Sequence, residues 1–174
     1  MTFNESRRST RQKLEGIQGL DLGPVKFKLM DPEEGEGWTR EFAERMELEY
    51  KRFLTLLAKY PQEPIAPGKA VDRFWHAHIL DTQKYVEDCE RVFGHYLHHF
   101  PYFGMRGADD AAALARAAER TRELYTAEFA AGVQPVAAAF CSVAAASFCS
   151  AAASFCSAAG AVDTVTRPTL APIE

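Results

Sequence analysis

All five histidines of this 174-residue chain fall between positions 76 and 99. The surrounding stretch, Ala70 to Gly104, also holds Trp75, Cys89 and a cluster of Phe and Tyr residues. Imidazole nitrogen and thiolate sulfur are the donors that zinc takes into a tetrahedral shell. His76, Cys89 and His98 come from three separate segments, and His99, Asp88, Asp81 or water can supply a fourth donor. His76, Cys89, His98 and His99 are therefore expected to hold a metal ion, zinc or iron. Two other uses of the same residues stay open. A buried hydrogen-bonded network of His, Cys, Tyr and Trp needs no ion. A Cys89–His pair, oriented by Asp72 or Asp81, would be a nucleophile, but no Gly-rich nucleophile turn or oxyanion feature accompanies it. No catalytic residue is assigned.

Spacing restricts which histidines can act together. His76 and His78, two residues apart on a helix, diverge by about 200° and cannot both face one ion. His76, directly after Trp75, is expected to serve the site by approaching the helix face that carries Cys89. His78 is then solvated or packed. His98 and His99 precede Phe100-Pro101, which keeps their backbone extended, so one enters the site and the other leaves it. His98 is placed to fold back toward the aromatic cluster.

These side chains must be positioned by helices. Asp72 can cap a short helix carrying Phe74, Trp75, Ile79 and Leu80, and Asp81-Thr82 stops it and starts another. The second helix carries Tyr85 and Cys89 on one face and closes at Gly94. Upstream, Phe42, Met46, Tyr50, Phe53 and Leu57 recur at helical spacing from a Thr39 cap to Pro61, with Trp38 ahead of it as a staple. Leu14, Ile17, Leu20 and Leu22 can line a short helix, after about twelve polar, frayed residues. Val25 to Leu29 alternates apolar and polar, a strand pattern, although an extended segment on helices fits equally. A last helix runs from Asp109 or Asp110 to Gly132 through Leu114, Thr121, Tyr125 and Phe129. The expected fold is mostly α, a compact bundle of four to five helices over residues 1–134.

Beyond Gln134-Pro135 the composition changes. Residues 135–174 are Ala/Ser/Cys-rich and repeat Phe140-Cys141-Ser142, Phe148-Cys149-Ser150 and Phe155-Cys156-Ser157. They are expected to be disordered or partly helical, a low-complexity tail suited to metal capture, crosslinking or enzymatic modification. The net charge of -4 offers no basic field for nucleic acid. The polar start lacks the apolar core of a secretory signal, and no membrane span is expected. Four cysteines without such a signal suggest a reducing, cytoplasmic setting.

Val71-Asp72, Trp75-His76, Ile79-Leu80, Thr82, Tyr85, Cys89, Phe93-Gly94 and His98-His99 before Pro101 together resemble the signature of the glycine-rich domain-containing protein-like family. The resemblance covers about residues 36 to 106 and includes the Lys59-Tyr60-Pro61 helix end. It is similar to plant members through Trp-His, the Tyr before Asp-Cys, and Gly. It is similar to bacterial members through Phe-Gly and His-His before Pro as well. It implies no particular reaction, and it implies that position 78 is often aromatic and dispensable. Bacterial members often end in a tail rich in Gly, Ser and Cys, from which this chain departs by carrying Ala and Phe. The expected function is a small metal-binding or interaction module with a protein partner. The alternatives are a substrate whose Cys-repeat tail meets a modifying enzyme, and a metal- or Cys-dependent enzyme.

Overall fold

The computed structural model describes residues 8–129, which form six α-helices and, among the described residues, no strand. The mostly α expectation holds, and the additional helix comes from the segment read as a strand. The 134/135 boundary, Gly132 and the Phe-Cys-Ser repeats lie outside the described residues.

α1 (Thr10–Gln18) begins inside the stretch expected to fray, taking in Thr10, Arg11 and Gln12. Ser9 and Gln12 make a reciprocal capping box there, satisfying backbone N–H groups that would otherwise lack partners. Gly16 faces α5, where an added methyl would stand 3.3 Å from Val92 Cγ2, so the missing side chain permits the close approach. α2 (Gly23–Met30) corrects the strand expectation. Pro24 sits in its first turn, where no N–H is needed. Val25 and Leu29, four residues apart, are buried, whereas Phe27 between them is exposed. Alternation over five residues also satisfies an i, i+4 helical pair, and tertiary burial decided between them.

α3 (Arg40–Lys59) is the central element, touching α1, α2, α4 and α6. The Thr39 hydroxyl accepts from Phe42 N–H, a cap worth about 1 kcal/mol. Trp38 meets the Phe42 ring edge-on at 4.7 Å, fixing the entry of the chain. Met46, Tyr50, Phe53, Leu54 and Leu57 bury the face that carries most of the core.

α4 (Lys69–Leu80) and α5 (Thr82–Phe93) are joined at Asp81 and pack together, α4 lying on α2 and α3 and α5 on α1. The cap of α4 is Gly68, not Asp72, so the helix starts four residues earlier than expected and Asp72 belongs to its first turn. α6 (Ala108–Phe129) packs back on α3. Tyr125 donates to buried Glu49 at 2.8 Å, and Arg52 bonds both at 2.8 and 2.6 Å. Thr121 accepts from Ala66 N–H at 2.9 Å, tying in the Pro-rich link before α4. Among the described residues, no helix is long and apolar enough to cross a membrane.

Candidate metal centre

Asp72 and His76 stand four residues apart on α4 and so share one face. His99 arrives from the chain after α5. Gly94 turns that chain in the left-handed region (φ 77°), and its N–H bonds the carbonyls of Cys89 and Glu90. The next residues are then pinned by a buried relay. Trp75 Nε1 donates to the Tyr85 hydroxyl at 2.8 Å, and that hydroxyl donates to the Leu97 carbonyl at 2.6 Å. Two residues on, the His99 ring lies edge-on to Trp75, centroids 4.9 Å apart.

Three donor atoms converge as a result. His99 Nε2 lies 2.8 Å from His76 Nε2 and 3.3 Å from Asp72 Oδ1, and the third edge, His76 Nε2 to Asp72 Oδ1, is 3.6 Å. Metal–donor bonds of about 2.0–2.1 Å place tetrahedral donors about 3.3 Å apart and adjacent octahedral donors about 3.0 Å apart. The three atoms therefore already stand at the spacing of one coordination shell. Asp72 is buried, His99 nearly so, and His76 reaches the surface. Burial pushes the His76 ring below its ordinary value and His99 adds to this, against the pull of the Asp72 carboxylate. The ring is thus neutral at pH 7, with a lone pair to offer.

The other expected residues take different places. Cys89 is buried against Tyr85 and the Leu97 backbone, outside the convergent group. Burial pushes its thiol up to about 11, so it is protonated at neutral pH. His98 is exposed, its ring 4.9 Å from that of Tyr96. The extended backbone thus sends His99 inward and His98 outward.

His78 is packed, one of the two places expected for it, and stays outside the convergent group. It is 2% exposed and is bonded on both ring nitrogens, Nδ1 to the Tyr50 hydroxyl and Nε2 to Asp88, each at 3.0 Å. It is His78, not His76, that faces α5. The 200° divergence of the two rings is realised as two separate polar sites on opposite sides of α4. From sequence Asp72 reads only as a cap or orienting group. The signal for its place as a donor was its four-residue spacing to His76.

Two open clefts meet at His76. One, of about 470 Å³, is lined by both His76 and His99 together with Leu80 and His98. The other, of about 540 Å³, is lined by His76 and by residues of α2 and its following loop.

No curated protein and no solved structure matches the chain. A family model, UCP032817-like, matches residues 20–122, which include α2 to α5, all three convergent donors and the stretch from 36 to 106 that carries the sequence resemblance. That span is more than half of the chain, which therefore belongs to the UCP032817-like family.

Proposed function

We propose that this protein is a metal-binding helical module whose ion is held by Asp72, His76 and His99. The observation that carries the reading is the approach of the three donors to 2.8, 3.3 and 3.6 Å of one another. Two ring nitrogens at 2.8 Å must share a proton or a cation, because two bare lone pairs repel. One proton satisfies a single contact, whereas one cation satisfies all three. Two imidazoles and a carboxylate suit zinc or ferrous iron. Three protein donors also leave at least one coordination position for an exogenous ligand, unlike the closed four-donor shell of structural zinc. This favours a site that binds a small molecule over one that only staples the fold.

The test is the metal content of the full chain, without an affinity tag, after equilibration with zinc or ferrous iron. The His99→Ala chain is expected to hold one ion fewer per molecule than the unaltered chain, and Cys89→Ser the same number. Equal metal content in the unaltered and His99→Ala chains would refute the assignment.

A further inference from the structure

The ion proposed above would face only one of the two clefts that meet at His76. His99 lines the 470 Å³ cleft and not the other, so two of the three donors look into the same space. The walls of that space are Ile79, Leu80, Tyr96 and Pro101, with the exposed imidazole of His98 at the same surface. Among the described residues lining it, none is Asp, Glu, Lys or Arg. The second cleft is lined by Lys28, Glu34, Glu36 and Arg73, but these already pair with one another, Arg73 with Glu36 at 2.6 Å and Lys28 with Glu34 at 3.6 Å.

A divalent ion bound by the Asp72 carboxylate carries a residual charge of about +1, and the 470 Å³ cleft supplies no formal charge to balance it. A monoanion on the open coordination position would neutralise the centre. Its remaining atoms would meet a wall of Leu, Ile, Tyr and Pro, and the volume falls in the range of about 300–1,000 Å³ typical of small-molecule sites. Leu80 is 80% exposed at this wall, an apolar side chain left in water on a helix end. We infer that the cleft is a subsite for a small monocarboxylate with an aromatic or branched apolar body, its carboxylate on the ion and its body against Ile79, Leu80, Tyr96 and Pro101.

The inference rests on the metal reading, and one experiment separates the two. The full chain is loaded with Co(II), and cobalt held in excess of the His99→Ala chain is assigned to the site. Benzoate, acetate and benzylamine are then titrated against the visible absorption of that cobalt. Benzoate is expected to bind about tenfold or more tightly than acetate because its ring leaves water, with no response to benzylamine. Leu80→Asp is expected to keep the cobalt and lose about tenfold in benzoate affinity, since it removes an apolar contact and adds a like charge. Leu80 is too exposed for this change to threaten the fold. Equal affinity for benzoate and acetate, or unchanged benzoate binding in Leu80→Asp, overturns the subsite and leaves the metal reading standing. No cobalt above the His99→Ala level overturns both.

Discussion

His76 and His99, 23 residues apart in sequence, bring their Nε2 atoms to 2.8 Å, closer than either approaches the Asp72 carboxylate. The contact joins the middle of α4 to the chain beyond α5, so an ion there would crosslink two elements that also meet through the Trp75–Tyr85–Leu97 relay and the Trp75–His99 ring contact. Zinc is therefore expected to stabilise the native state. At 100-fold excess over the dissociation constant the gain is about 2.7 kcal/mol, seen as a higher melting temperature that a chelator reverses. His99→Ala should show no such rise. A rise of the same size in His99→Ala would place the stabilising ion elsewhere.

The Tyr85 hydroxyl is the hinge of that relay, accepting from Trp75 and donating to Leu97. Tyr85→Phe keeps the ring packing and leaves two buried groups without their partner, at a cost of about 1–3 kcal/mol. Because Leu97 lies two residues before His99, the same change should loosen the third donor. Metal affinity is expected to fall by about 10–100-fold, as when outer partners of metal ligands are removed. Denaturant unfolding and a metal titration check the two effects separately. Lost stability with unchanged affinity would show that the relay holds the fold and not the site.

The helices that carry the site were legible because their signals are local. Thr39, Gly94 and the apolar recurrence from Phe42 to Leu57 mark element ends and faces that tertiary packing preserves. α2 was not legible, since five alternating residues fit a strand as well as a helix and only burial of Val25 and Leu29 resolves them. Within the site, the argument that His76 and His78 part company followed from helix geometry alone. What each would meet did not, because it depends on the rotation of α4 about its axis. That rotation turns His78 toward Tyr50 and Asp88 and leaves His76 for a loop residue. The burial of Cys89 was one of the readings open from sequence, as a thiol one turn after Tyr85 can line a core or a cleft, and packing decides for the core.

Cys89 is 3% exposed, and burial raises its thiol to about 11, so little thiolate exists at neutral pH and no reagent can reach it. Alkylation at Cys89, located by peptide mass, is expected only at the rate of global opening and should accelerate with denaturant along the unfolding curve. Cys89→Ala should cost about 1–2 kcal/mol through the lost packing. Fast labelling at Cys89 under native conditions would contradict the buried placement and revive a reactive-thiol role.

His78 and Asp88 make a second polar centre whose consequence is a pH dependence of stability. Burial of Asp88 alone would raise its carboxyl, but the bonds from His78 at 3.0 Å and Lys84 at 2.9 Å outweigh it and hold the carboxyl below its ordinary 3.8. Arg91 adds a third contact at 2.5 Å. The His78 ring reaches both of its neighbours at once, Nε2 toward Asp88 and Nδ1 toward the Tyr50 hydroxyl. The unfolded chain, whose carboxyl keeps its ordinary value, binds the proton first as pH falls. The contribution is thus complete above about pH 4 and is lost as pH drops through the lowered folded value. Asp88→Asn removes the charge that His78 and Lys84 face and is expected to cost about 1–3 kcal/mol at pH 7. It should also flatten the acid limb, so that the gap between variant and unaltered chain narrows steadily as pH falls below about 4. Urea unfolding at a series of acid pH values measures that gap. Parallel profiles would mean that Asp88 does not titrate with folding, and that the acid sensitivity of the domain resides in its surface pairs.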